Sequence, residues 1–411
     1  MALAQLLRPS KGVLGTVSSP IPQGSQWASM YNPTPTRPLL NLSQGVPGTA
    51  PEKMLRDAIT ASSASDAWGY CIAEGEGVLR EGVAREMRQI YREGDVDADV
   101  NAEDVAITAG CNMAFVAAVM ALADNGDEVI LPIPWYFNHQ MTLTLLGITP
   151  VSLQTSAEDG FFPSVEKCKG LINSRTKAIA LVTPNNPTGA FYPPSLLSQF
   201  FALAKEHNLA LIIDETYRDF ITSGPPHPLF SSSNGWRTTL IHLFSFSKSY
   251  RIPGYRLGAL VAAPSLLKEI NKVLDCLQIC APRAPQLALG PLLPNLRNSV
   301  REMAEQLEKR HALFRKELPP AWKVGAAARG GYYAFVRHPF TNIGAGEVAK
   351  RLAVELGVVG LPEGFFKDGD ASDGRWIRFS VANVDDEKIV AACKRLKEAE
   401  DIFGWEIDAS N

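Results

Sequence analysis

No aspartate or glutamate precedes Glu52 in this chain of 411 residues, while Arg8, Lys11 and Arg37 supply basic charge. An acid-free start containing serine suits a mitochondrial presequence. The stretch SSPIPQGSQWASMYNPTPTRP (18–38), however, is rich in proline and poor in arginine, which favours an extended arm lying across another surface. The apolar part of MALAQLLRPSKGVLG is too short and interrupted for a secretory signal. Cysteine is scarce: there are six, with no CxxC, and HExxH is missing as well. That excludes a disulfide framework and leaves Cys276 and Cys280 too isolated for a zinc site. Most of the cysteines sit in apolar or helical contexts and read as small buried hydrophobes in a reducing compartment. No apolar run reaches the length of a membrane span. The formal net charge of -3 gives no electrostatic reason to expect nucleic acid or an acidic membrane as partner. The expected location is cytoplasmic, with mitochondrial import left open.

What is present is a folded chain, 46% hydrophobic and 20% charged, long enough for two or three domains. From about residue 100, short apolar runs alternate with helical patterns. DVAIT precedes NMAFVAAVMALA, DEVILPI precedes WYFNHQMTLTLL, and AIALVT leads through PNNPTG to PPSLLSQFFALAKEHN. LALIID, TLIHLFSF and RLGALVAA follow. Runs this short and rich in Ile, Leu and Val predict a mostly parallel sheet covered by helices. The last hundred or so residues differ: an amphipathic helix over SVREMAEQLEKRHALFRKEL, strands at GYYAFV and WIRFSVA, and a closing helix predict a smaller α+β domain.

Ligands of an open parallel sheet bind beyond the carboxyl ends of its strands. Here those ends carry Gly110-Cys111-Asn112, Trp135-Tyr136, Asn185-Asn186-Pro187, Asp214 to Tyr217, and Ser245 to Lys248. A lysine beside a low-dielectric crevice loses its proton readily and can attack a carbonyl to form a Schiff base. Ser245, Ser247 and Arg256 around Lys248 make a small anion site. The helix starting near Cys111 and Asn112 adds free N–H groups suited to a phosphate. Asp214 emerges from a buried strand, so it needs a structural partner or a ligand cation, such as a pyridinium nitrogen. Tyr217 and Asn186 can donate to a ring oxygen, and Tyr136 offers a stacking face. Together these groups describe a site for pyridoxal 5'-phosphate.

The motifs carry a resemblance. SFSKSYRIPGYRLG (245–258) is similar to the S-x-S-K-x(5-7)-R-x-G segment of the class I/II aminotransferases, and NNPTG, DETY, RFSVAN and PWYFNH match that family's other blocks. The resemblance runs from about Asn41 to the last helix. It implies the pyridoxal-phosphate-dependent transferase fold of type I, α/β with a mostly parallel seven-stranded sheet plus a smaller α+β domain. The division it implies is an N-terminal arm at 1–40, a large cofactor-binding domain at 53–288, and a small domain at 289–411 completed by residues around 41–52. Position by position it implies that Lys248 carries the cofactor and moves the proton. Asp214, backed by His139, pairs with the ring nitrogen, while Asn186 and Tyr217 bind the ring hydroxyl and Tyr136 stacks on the ring. Gly110, Cys111, Asn112, Ser245, Ser247 and Arg256 hold the phosphate, and Arg378 takes the substrate carboxylate. Gly45 and Pro47 lie by the substrate. Tyr70, in WGYCIAEGEG, resembles the tyrosine that reaches the phosphate of a neighbouring subunit, implying a homodimer with shared sites.

The reaction expected is ping-pong transfer of an α-amino group from an L-amino acid to a 2-oxo acid, with 2-oxoglutarate favoured, in amino-acid metabolism or biosynthesis. Tyr136 stands where aspartate-specific enzymes of the family have tryptophan. Arg283 and Arg37 are the candidates for a second carboxylate-binding arginine. The same residues suit a lyase, such as an aminocyclopropane-carboxylate-synthase-like enzyme or a decarboxylase. A transcription regulator would need a DNA-binding domain of about 60 residues ahead of the fold. A nicotinamide enzyme would need a glycine fingerprint, which GEGVLREG does not provide.

Overall fold

The computed structural model describes residues 7–65, 68–92, 94–325, 331–368 and 374–408. A two-residue strand, β1 (Leu40–Asn41), lies outside the main sheet. β2 (Val105–Thr108), β3 (Glu128–Ile133), β4 (Thr149–Gln154), β5 (Thr176–Val182), β6 (Ala210–Asp214), β7 (Leu240–Ser245) and β8 (Gly258–Val261) form a seven-stranded sheet in the order β2-β8-β7-β6-β5-β3-β4. β8 runs antiparallel to both its neighbours, and the other pairings are parallel. The period-two alternation of a strand sorts its side chains between two cores. Ile179 and Leu181 of β5 join one core with Ile130, Leu211 and Ile213. Ala178 and Ala180 join another with Val129, Ile212 and Leu243. Each Ile or Leu buried this way contributes roughly 1.5–3 kcal/mol before entropy is subtracted.

β9 (Lys323–Val324), β10 (Tyr333–Arg337), β12 (Leu361–Pro362) and β13 (Trp376–Ser380) make a second sheet in the order β12-β13-β10-β9, while β11 (Val358–Val359) pairs in parallel with β1. A separate apolar core unites this sheet with helices Ala345–Leu356 and Asp386–Ile402 and with Leu40 and Leu42. Helix Arg283–Glu317 links the two parts: Leu293, Leu296 and Val300 pack in the first core, Ala304, Leu307 and Phe314 in the last.

The segment expected to be an extended arm holds two short helices and packs on its own chain. Ser10 caps a helix over Lys11–Gly15, and a second helix covers Ile21–Ser29. Pro20 and Pro22 stand at the start of that helix, where a missing N–H costs no intrahelical bond. A Cβ on Gly12 would strike the carbonyl of Leu145, Gly24 faces Leu361, and Trp27 stacks on Phe365 at 5.9 Å.

Candidate active site

Five strand ends and the loop at 44–46 converge on a cavity of about 340 Å³. β7 ends at Ser245, whose side chain accepts from Ser247 N (3.3 Å) and caps the four-residue helix Phe246–Ser249. Lys248 projects from that helix and its Nζ donates to the Gly45 carbonyl at 2.7 Å. Burial, with the nearby Arg256 and Arg378 charges, pushes the lysine down to about 8.

Asp214 ends β6. Its Oδ1 accepts from Thr216 N (3.0 Å) and Thr216 Oγ1 (2.7 Å), and its Oδ2 lies 3.3 Å from His139 Nε2. Burial acts to raise this carboxyl, but His139 and Thr216 outweigh it and hold it below the usual range, so it stays ionised. His139 is itself fixed by stacking on Phe115 at 3.8 Å. The neighbouring Glu215 turns to the other face of the sheet, accepting from Tyr91 (2.5 Å) and His227 (3.1 Å). That buried pairing anchors the strand end carrying Asp214.

Arg256 adopts a left-handed backbone (φ 53) and donates to the carbonyls of Pro253 and Ala109. It faces the start of helix Cys111–Leu122, whose first turn holds no acid. Gly110 precedes that helix at φ 85, and a Cβ there would run into the Arg256 guanidinium. Asn112 accepts from the Tyr136 hydroxyl at 3.2 Å.

On the far wall Arg378 of β13 is buried. It donates to Asn186 Oδ1 (2.8 Å) and the Ser43 carbonyl (2.5 Å), and no ion pair to it is found among the described residues. Its Nε–H has no partner there either. A buried guanidinium without a counter-ion is costly. The Tyr217 hydroxyl meets the hydroxyl of Tyr333 at 2.9 Å.

The cavity thus gathers Gly45, Cys111, Asn112, Tyr136, Asn186, Asp214, Tyr217, Ser245, Ser247, Lys248, Arg256 and Arg378. Gly110 and His139 stand immediately behind it. Pro47 does not line it; Gln44 and Val46 do. Tyr70 is exposed and does not line the cavity of its own chain. Arg37 pairs with Glu398 (2.8 Å) and Arg283 with Glu76 (2.5 Å), and neither reaches the cavity. Tyr333, Ser19 and Ile21 line it unforeseen. Tyr333 closes on the 44–46 loop, where a Cβ on Gly45 would strike its hydroxyl. Ser19 and Ile21 arrive only through tertiary packing.

The sequence profile described as aminotransferase class I and II matches residues 37–396. The chain belongs to that family. Relatives include an aspartate aminotransferase of Pyrococcus abyssi, 29% identical over 78% of this chain and 81% of its own. An aromatic-amino-acid aminotransferase of Thermococcus litoralis is 28% identical over 90% of this chain and 96% of its own. Among solved structures, aspartate aminotransferase from Thermus thermophilus with maleate superposes with a TM-score of 0.83 at 25% identity, covering 96% of this chain and 100% of that one. The chain is therefore a transaminase of the type I fold expected for this family. The lyase alternative is not favoured, since these relatives are aminotransferases.

Proposed function

We propose that this aminotransferase uses pyridoxal 5'-phosphate to move an α-amino group from an L-amino acid to a 2-oxo acid, with 2-oxoglutarate the first acceptor to test. The observation that carries the reading is the buried Arg378, with no carboxylate partner among the described residues, facing a cavity that also holds Lys248 and an ionised Asp214.

The residues fit the cofactor. The bare Gly110 and the acid-free helix start leave a cradle beside Arg256. Ser245, Ser247, Arg256 and the Cys111–Asn112 backbone would hold the phosphate. Asp214 would face the ring nitrogen, Asn186 and Tyr217 the ring hydroxyl, and Tyr136 the ring face. Lys248 would carry the cofactor, which when bound supplies an electron sink for the substrate's α-carbon.

The chain's own groups do the rest. With its pKa near 8, Lys248 Nζ can take up and return the α-proton near neutral pH. Asp214 remains an anion throughout that range. Arg378 grips the substrate carboxylate through its planar fork.

We also assign residues 1–40 to an arm, 53–288 to a cofactor domain, and 289–411, completed by 41–52, to a smaller domain. A homodimer is part of the reading: Tyr70 is exposed beside Trp68 and Ile72 and would complete the partner's site. We place the enzyme in the cytoplasm and in amino-acid biosynthesis. No helix among the described residues is long and apolar enough to cross a membrane.

The test is a two-step assay. Protein loaded with pyridoxal phosphate is mixed with an amino acid, and the visible band is followed as it falls and then recovers on adding 2-oxoglutarate. Glutamate formed in step with the oxo acid separates transfer from lyase chemistry. A panel of amino acids that never alters the band would sink the reading.

A further inference from the structure

We propose that Cys71 and Cys280 form a redox-modifiable pair, closing to an intrachain disulfide by exchange with a small disulfide of the glutathione class and so pinning the loop that carries Tyr70. The bond itself stands apart from the aminotransferase reading; its effect on the cofactor rests on the role given there to Tyr70.

Cys71 follows Tyr70 in the loop at 68–76, and Cys280 lies in the short turn between helix Pro264–Gln278 and helix Arg283–Glu317. Ile279 ends the first of these helices at φ 60, a backbone that a β-branched residue seldom takes. The chain reverses there, and the Cys280 thiol comes within hydrogen-bonding reach of the Cys71 thiol. Gln286 holds the two segments together. It is fully buried, its Oε1 accepting from Glu76 N (2.8 Å) and its Nε2 donating to the Ala281 carbonyl (2.9 Å) and to Cys71 Sγ (3.6 Å). The ion pair of Arg283 with Glu76 is a second tie. Both flanks are therefore fixed before any bond forms between the sulfurs.

The other cysteines are placed differently. Cys111, Cys168 and Cys393 are buried and Cys276 is exposed, whereas Cys71 and Cys280 are half-buried, neither sealed in a core nor free in solvent. Both belong to one chain, so their juxtaposition does not depend on where a second copy docks.

Burial, with Cys280 beside it, pushes the Cys71 thiol up to about 11. Cys71 thus stays protonated near neutral pH and suits the second step of an exchange rather than the first. The Cys280 thiolate attacks one sulfur of the small disulfide, forming a mixed disulfide and expelling one small thiolate. Cys71 then gives up its proton and attacks Cys280 Sγ, expelling the other. Two protein thiols are oxidised, the small disulfide is reduced to two thiols, and the protons end on those. Holding the thiol beside its target offsets its high pKa. The bond fixes the residue next to Tyr70 to the helix junction. A side chain held ready loses less freedom on contact, so the partner's cofactor should be retained longer in the oxidised form.

The experiment uses the intact holoenzyme, so passage of glutathione past a second subunit is part of what is tested. Protein equilibrated in glutathione buffers from reduced to oxidised is quenched in acid, alkylated and mapped by peptide mass spectrometry, with non-reducing electrophoresis alongside. The expected product is a Cys71–Cys280 link within a monomer-sized chain, reversed by dithiothreitol, lost in Cys71→Ser and in Cys280→Ser, and kept in Cys276→Ser. In Cys71→Ser, Cys280 should instead accumulate the mixed disulfide with glutathione. Release of pyridoxal phosphate on dilution, followed by its visible band, should be several-fold slower in the oxidised enzyme, and the difference should vanish in Tyr70→Ala. An oxidised buffer that leaves both thiols open to alkylation, or links either one to Cys276 or to another chain, overturns the proposal. A link that leaves cofactor release unchanged overturns the pinning of Tyr70. A protein that forms the link yet never binds pyridoxal phosphate removes the aminotransferase reading and leaves the thiol pair standing.

Discussion

The guanidinium of Arg378 lies over the ring of Tyr333, 4.3 Å from its centroid. The Tyr333 hydroxyl in turn meets that of Tyr217 at 2.9 Å. One aromatic residue therefore links the proposed carboxylate anchor to the proposed cofactor contact. Its own strand, β10, pairs with the strand of Arg378, so both side chains are set by one small sheet.

Tyr333→Phe keeps the ring under Arg378 and removes only the hydroxyl contact. It should cost about 1 kcal/mol, the usual net value of one hydrogen bond, seen as a several-fold fall in kcat/KM. Tyr333→Ala removes the stacking as well and should cost more. Steady-state kinetics on the two variants checks this; equal losses would mean the ring contributes nothing.

Arg378→Ala should weaken amino-acid binding by about 2–5 kcal/mol, the range for truncating one partner of a buried charged pair. Arg378→Lys should be nearly as damaging because the planar fork is lost. Apparent affinities that stay at the wild-type level for every donor would show that the anchor lies elsewhere.

Lys248→Ala should abolish turnover and the visible band of lysine-bound cofactor while leaving the fold intact. Absorption spectra and circular dichroism measured together decide it. A variant retaining the band and full activity would refute the assignment.

The cofactor-free protein should show a specific pH dependence from the same lysine. Its folded pKa, near 8, is depressed below the ordinary 10.5, so between those values the unfolded chain binds more protons. Stability therefore rises with pH across that window, by up to about 3 kcal/mol from this group, and the gain is absent below pH 8. Denaturant titrations at pH 7.5 and pH 10 should show a larger gain for wild type than for Lys248→Met. Parallel behaviour of the two proteins would contradict it.

For Tyr70, chains carrying Lys248→Ala and Tyr70→Ala, differently tagged and purified as a mixed dimer, should recover up to half of wild-type activity. Recovery no better than the average of the two parents would place Tyr70 with its own subunit.

The strands of the main sheet were the most legible part of the sequence, because runs such as AIALVT and TLIHLFSF are continuous and bounded by turn residues. β4 escaped notice: it is an edge strand, TPVSLQ, with a proline and little burial to impose a pattern. The long helix was read only from 299 onward, since Pro291 and Pro294 interrupt its earlier turns. Lys248, Asp214 and Arg256 could be found because each sits in a local motif at a strand end. Tyr333 and Ile21 carry no such local mark, since their place is fixed by contacts far along the chain. The proline-rich start misled for the same reason that prolines are tolerated at a helix's first turn.

The helix Ile21–Ser29 packs with the smaller core through Gly24, Trp27 and Leu361, yet its first residue lines the cavity. Arg378 belongs to that core's sheet as well, whereas Asp214 ends a strand of the larger sheet and Lys248 and Arg256 lie between its strands β7 and β8. Any hinge motion between the halves must therefore carry recognition groups away from reacting groups as two intact sets. The hydrogen bonds from Lys248 to Gly45 and from Arg378 to Asn186 straddle that seam. On the proposed roles, parting the two would leave grip and chemistry each whole but in different places.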